Sequence, residues 1–155
     1  MRIDWLDEDE WGRFRSIRLA SLLDAAEAFG TRHEDLVLMP EPGWREQLRR
    51  LPTFVASLDE RDVGVVRAVE HADLDDAAYL ISMWVHPEYR RRGVGSALID
   101  RVIDWTREMC RSRLFLDVRT QVVEAQRLYR AKGFAPTGVE IQEGAFTEVQ
   151  MVRDC

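Results

Sequence analysis

Apolar residues recur along this chain at two alternating periods. Trp11, Phe14, Leu22, Ala25 and Phe29 fall on one helical stripe, interrupted by Arg18 and stopped at Gly30. Asp7, Glu8, Asp9 and Glu10 precede it, where the positive end of a helix favours acids. Arg18 sits on the apolar side, and its stem is expected to snorkel outward. A shorter helix begins near Pro42, with Trp44 and Leu48 four apart. Residues 53–58 and 63–70 then read as strands joined by Asp59-Glu60-Arg61-Asp62, a hairpin signal. A polar turn over 71–76 leads into a third strand, 77–85, which Pro87 ends. Val94, Leu98, Val102, Trp105 and Met109 restore the helical period. A short strand follows at 114–118, then a helix over 121–131 that Gly133 caps. Residues 134–137 start another strand, 138–144 form a polar loop, and 146–152 close the chain as an alternating strand.

Strands linked by turns this short must be antiparallel neighbours, whereas the crossover from 77–85 through a helix to 114–118 makes those two parallel. The expected fold is one domain over 1–155 of the mixed α/β (α+β) class. It has a largely antiparallel sheet of about six to seven strands with helices on both faces.

Composition narrows the function. Hydrophobic residues make up 46% and charged residues 32%, as in ordinary globular proteins. A net charge of −6 argues against nucleic acid as a partner. No apolar run approaches the roughly 18 residues that span a bilayer, and the acidic N-terminus does not resemble a signal peptide. A cytoplasmic location and no membrane partner are expected. Cys110 and Cys155 are too few for a disulfide framework and lack metal-ligand spacing, so no metal is expected. Cys110 is expected to pack at a helix end and Cys155 to be exposed.

Against this acidic background, positive charge gathers at the joint between the third strand and the following helix, W-V-H-P-E-Y-R-R-R-G-V-G-S-A, residues 84–97. A helix start presents unpaired N–H groups and a partial positive charge. Gly93 and Gly95 let an anion approach, and Arg90, Arg91 and Arg92 add forked donors suited to phosphate oxygens. No Walker string is present. A dinucleotide fingerprint would need a third glycine where Leu98 stands, although Asp117 lies at the distance of a ribose-binding acid. The antiparallel strands before the loop weaken that nicotinamide reading further.

Arg90-x-x-Gly93-x-Gly95 resembles the R/Q-x-x-G-x-G/A motif of the GNAT superfamily of acetyl-CoA-dependent N-acetyltransferases. A second block, Ala125-x-x-Leu128-Tyr129-x-x-x-Gly133-Phe134, resembles that family's next motif at the usual distance. The resemblance implies a V-shaped parting between strands 77–85 and 114–118 that admits the pantetheine arm of acetyl-CoA. Trp84 and Val85 would meet pantetheine through their backbone. Arg90, Arg91, Arg92, Gly93, Val94, Gly95 and Ser96 would hold the pyrophosphate, with Ala97 just inside the helix. It implies direct attack of a primary amine, from a small molecule or a peptide, on the thioester. The first two helices would wall the acceptor, and the family leaves a homodimer open.

Such chemistry needs a neutral amine, donors for the developing oxyanion and an acid for the departing sulfur. Tyr129 matches the family's tyrosine acid. The glutamate that many relatives carry on the central strand is replaced here by Ser82 and Met83, leaving Glu70, Glu143, Glu148 and His86 as open candidates for the base. The asparagine common three residues before the second motif's alanine is Val122 here, which puts the hold on the cofactor arm in doubt. That departure and the absent glutamate keep a second class open, a non-catalytic acyl-CoA-binding module.

Overall fold

The computed structural model describes residues 1–26 and 31–155. Seven strands, β1 (Arg2–Trp5), β2 (Thr53–Leu58), β3 (Arg61–Glu70), β4 (Ala77–Val85), β5 (Arg113–Arg119), β6 (Ala135–Glu143) and β7 (Phe146–Asp154), form one sheet in the order β1-β2-β3-β4-β5-β7-β6. Every neighbouring pair is antiparallel except β4 and β5, which run parallel. Among the described residues five α-helices accompany it: α1 (Trp11–Asp24), α2 (His33–Leu36), α3 (Glu41–Arg50), α4 (Val94–Glu108) and α5 (Val123–Ala131). The mixed, mostly antiparallel sheet agrees with the expectation.

Alternation along the strands feeds two apolar layers, one on each face. One layer joins Phe54, Val66, Ala78, Leu80, Leu114 and Leu116 to Leu98, Ile99, Val102 and Trp105 of α4 and to Tyr129 of α5. The other joins Val55, Val65 and Trp84 to Phe14 and Ile17 of α1 and Trp44 and Leu48 of α3. Fully buried aliphatics such as Leu98 and Ile99 each contribute about 1.5–3 kcal/mol from removal of apolar surface. Phe14 and Trp44 meet edge to face at 5.5 Å. Arg67, buried on that second face, donates to Thr53 Oγ1 at 3.0 Å and to Gln47 Oε1 and O at 3.0 and 2.7 Å. Burial, with Arg18 and Arg50 nearby, lowers its pKa to about 10.

Local chemistry sets the element ends. Asp7 accepts from the Asp9 amide at 2.8 Å while Glu10 accepts from the Asp7 amide at 3.0 Å, a capping box before α1. Asp59 and Glu60 both take positive φ, so the β2–β3 turn has two residues rather than the expected four. Gly133, at φ +87°, ends α5 as expected. Arg18 is buried, 7% exposed, rather than snorkelling, and burial lowers its pKa to about 10. α1 ends at Asp24, and the expected Phe29 contact and Gly30 stop lie outside the described residues.

Three expectations are corrected. β1 was not foreseen, because only four residues mark it, too short a run to stand out. The loop expected at 138–144 is instead the continuation of β6, bulged between Pro136 and Glu140. As an edge strand, β6 is exposed along almost its whole length, and Pro136 and Gly138 within it read as loop signals. Cys110 is exposed with φ +54°, one residue beyond the capped end of α4, and Cys155 is half-buried, where burial raises its thiol pKa.

Candidate functional site

The parallel pairing of β4 with β5 covers only Ala77–Tyr79 against Arg113–Phe115. Arg113 fastens this closed end by ion-pairing Asp76 at 2.9 Å; that contact and Ser112 lower the Asp76 pKa to about 2. Beyond Tyr79 the two strands part. The parting begins at a β-bulge: the β3–β4 register jumps between Val65↔Trp84 and Arg67↔Ile81, so Ser82 and Met83 oppose the single Val66. Ser82 takes φ +56°, a left-handed conformation costly for a non-glycine residue. A cleft of about 110 Å³ results, lined by residues 80–83 of β4, residues 116–119 of β5, and Val122, Ala125 and Tyr129.

Backbone groups face this cleft from β4. His86 N donates to Val63 O at 2.8 Å. Alternation along an antiparallel ladder therefore turns the Trp84 backbone toward β3 and the Val85 backbone toward the cleft. Val85 O accepts from Arg90 Nε at 2.9 Å, which leaves the Val85 N–H as the group directed there. The Trp84 side chain lies buried on the opposite face, its Nε1 donating to Asp24 at 2.8 Å.

The cleft's open end meets the start of α4. Gly93 is the N-cap residue, at φ +82°, with no side-chain cap. The first intrahelical bond there runs from Ala97 N to Gly93 O at 3.0 Å, so the amides of Val94, Gly95 and Ser96 have no intrahelical acceptor. The first turn carries no acid. Gly95 lies close to two side-chain ends: a Cβ there would meet Leu128 Cδ2 at 2.9 Å and Met83 Cε at 3.3 Å, so those side chains would have to shift. Arg91 and Arg92 are exposed, with Arg92 over the Tyr89 ring at 5.3 Å. Among the described residues neither forms an ion pair. Arg90 differs, its Nη2 donating to Asp24 at 2.8 Å. Unpaired amides, open arginines and a glycine-lined approach fit the pyrophosphate of the expected cofactor.

Tyr129 is buried, with its ring 5.9 Å from Phe134, and it lines the cleft. Burial alone raises its pKa, and among the described residues its hydroxyl makes no hydrogen bond. Asp117 lines the same cleft. Its carboxyl pKa is raised by burial, against a hydrogen bond from the Tyr79 hydroxyl, which in turn accepts from Gln150 Nε2 at 2.7 Å. Glu148 lies beside this group; burial, then Glu143 and Asp117, raise its pKa, while Arg119 at 3.8 Å opposes them. The structure therefore places Glu148, with Glu143 near it, beside Asp117 and Arg119 of the cleft wall. It does not place Glu70 there, which pairs with Arg111 at 2.7 Å, nor His86, whose Nδ1 caps a short turn by accepting from Glu88 N at 3.2 Å. Asp117 was weighed from sequence only as a ribose ligand. Its position on β5 two residues from Arg119 was the available signal, and it needed the sheet order to acquire meaning.

Val122 is the N-cap of α5 and makes no capping hydrogen bond. Gln126 reaches back instead, donating to the carbonyls of Arg119 at 3.2 Å and Thr120 at 2.9 Å. Val122→Asn is expected to stabilise the fold by about 1 kcal/mol through a restored cap. It should appear as a higher urea midpoint at unchanged slope.

The sequence model described as the acetyltransferase (GNAT) family matches residues 8–134. N-acetyltransferase 8 of Homo sapiens is 33% identical over 88 residues, which cover 55% of this chain and 39% of that protein. The match thus spans about two fifths of that relative's length. A GNAT-family acetyltransferase from Streptococcus pneumoniae superposes with a TM-score of 0.82 at 20% identity, over 99% of this chain and 98% of its own. An acetyltransferase from Salmonella typhimurium, solved with its cofactor acetyl-CoA, gives 0.75 at 19% identity over 99% and 93%. At these identities the structural likeness is one of fold.

Proposed function

The chain belongs to the GNAT acetyltransferase family, and from that premise we propose that it transfers an acetyl group from acetyl-CoA to a primary amine. The observation that carries this reading is the junction of the β4–β5 parting with the uncapped start of α4. It supplies a slot for an extended arm next to a site for its pyrophosphate. The arm would lie along β4 as an added strand would. The amides of Val94, Gly95 and Ser96, with Arg91 and Arg92, would take the phosphates.

Bound acetyl-CoA supplies an activated thioester that a neutral amine can attack, with thiol as the leaving group. The Val85 N–H is the donor suited to polarise the carbonyl. Tyr129 holds the proton for the departing sulfur, since its raised pKa keeps the phenol protonated throughout the neutral range. Asp117 is our choice for the base: its raised pKa makes it a better proton acceptor than a free aspartate. Glu148 and Glu143 add negative charge that favours a cationic amine over an anionic acceptor. A non-catalytic acyl-CoA-binding module is the second reading, favoured by the uncapped Val122 and by the lack of an acid on the central strand.

Calorimetric titration tests the cofactor first. Acetyl-CoA is expected to bind and NADPH not to bind. Arg91→Ala and Arg92→Ala should each weaken acetyl-CoA by about tenfold, as expected for one lost charge-assisted contact. Silence toward acetyl-CoA would remove both readings.

A further inference from the structure

A single oxygen, Asp24 Oδ2, accepts from Trp84 Nε1 and from Arg90 Nη2, each at 2.8 Å. The same arginine donates from Nε to Val85 O at 2.9 Å. One edge of its guanidinium is thus spent inward, on the end of β4 and the end of α1. Asp24 is the last residue of α1, where the negative pole of the helix disfavours a carboxylate. A charge held at an unfavourable pole implies compensation by its partners, and here the partner cation is Arg90. Downstream, Arg91 (φ +63°) and Gly93 (φ +82°) both take left-handed conformations. Such a loop has little intrinsic preference for its shape, so its form depends on its two anchors. Val94, 1% exposed, is the anchor on the helix side. Arg90 is the anchor on the strand side.

We propose that Asp24 is a positioning residue for the phosphate-binding loop, acting through Arg90 and Trp84, and that Arg90 shapes this loop rather than binding phosphate. The proposal rests on the reading that this loop takes the pyrophosphate of acetyl-CoA. It makes a prediction opposite to simple electrostatics. If Arg90 contacted the phosphates, removing the acid beside it would free the cation and tighten binding.

The test is a double-mutant cycle of Asp24→Ala and Arg90→Ala, with acetyl-CoA affinity measured by calorimetry. Each single variant should weaken binding about tenfold, and the double variant no more than either, because both break one latch. Tighter or unchanged binding in Asp24→Ala, or a roughly hundredfold loss in the double variant, would overturn it. Hydrogen exchange provides a readout that needs no cofactor. The amides of Tyr89, Arg90 and Ala97, which are hydrogen-bonded in the free protein, should exchange faster in Asp24→Ala, and Asp24→Glu should recover part of their protection. Unchanged exchange would overturn the latch even if the wild-type protein binds acetyl-CoA. Faster exchange in Asp24→Ala, beside a wild-type protein that ignores acetyl-CoA, would support the latch while removing the assignment of the loop to that cofactor.

Discussion

Tyr129→Phe is expected to lower kcat by about 10²–10³-fold while leaving the KM for acetyl-CoA and the stability of the protein nearly unchanged. General acid catalysis by a positioned group contributes on this scale. The structural side of the prediction follows from what the hydroxyl does not do. The ring belongs to the apolar layer between α4, α5 and the sheet and meets Phe134, and phenylalanine keeps those contacts. Among the described residues the hydroxyl has no hydrogen-bond partner, so its removal strands no buried group. A residue that served packing alone would lose nothing in either measurement. A residue that supplies the sulfur's proton loses turnover alone. Steady-state kinetics with a panel of primary amines, beside a thermal melt, therefore separates the two roles. Full activity in the phenylalanine variant would leave Tyr129 as core and shift the acid elsewhere.

Much of this arrangement could be read from the chain because it is local. The central strand carries the same bounds in sequence and structure, 77–85, since a mostly apolar run containing Tyr79, Ile81, Trp84 and Val85 leads up to the break at Pro87. The glycine loop and α4 were equally legible. Gly93 takes φ +82°, and Gly95 sits close against the side-chain ends of Leu128 and Met83. What was hidden depends on neighbours distant in sequence. β1 exists because the ladder with β2 gives four residues a partner. β6 exists because β7 pairs with it, although its own side chains are mostly exposed. Arg90 looked like a third phosphate ligand, and only the position of Asp24, 66 residues away, reveals its inward bonds. Asp117 was the largest gap. Its character comes from Tyr79 on β4 and Gln150 on β7, and nothing in the run L-D-V-R announces that company.

The same company makes Asp117→Asn the second large effect: kcat/KM should fall by about 10²–10⁴-fold, and the folded state should become more stable at neutral pH. Burial is the larger influence on this carboxyl and raises its pKa, with the Tyr79 hydrogen bond opposing it. Between the unfolded value and the raised folded value, the native state holds more protons than the unfolded one. Stability therefore falls as pH rises through that window, and the penalty is complete above it. Asparagine carries no such penalty, so its advantage in a denaturant titration should be present at pH 7 and should shrink below the carboxylate range. Activity moves the opposite way. The wild-type profile should lose turnover as pH falls through the raised pKa, because a protonated acid accepts nothing from the incoming ammonium group. The asparagine variant should lack that acidic limb. Glu148→Gln provides the comparison: its carboxyl is also raised, by burial first and by Glu143 and Asp117 next, but it does not line the cleft. It should raise the KM for the amine and retain the limb. A limb that vanished with Glu148 and survived the loss of Asp117 would exchange their roles. An unperturbed profile in both variants would mean that the amine arrives already neutral, with these carboxylates serving only to attract it.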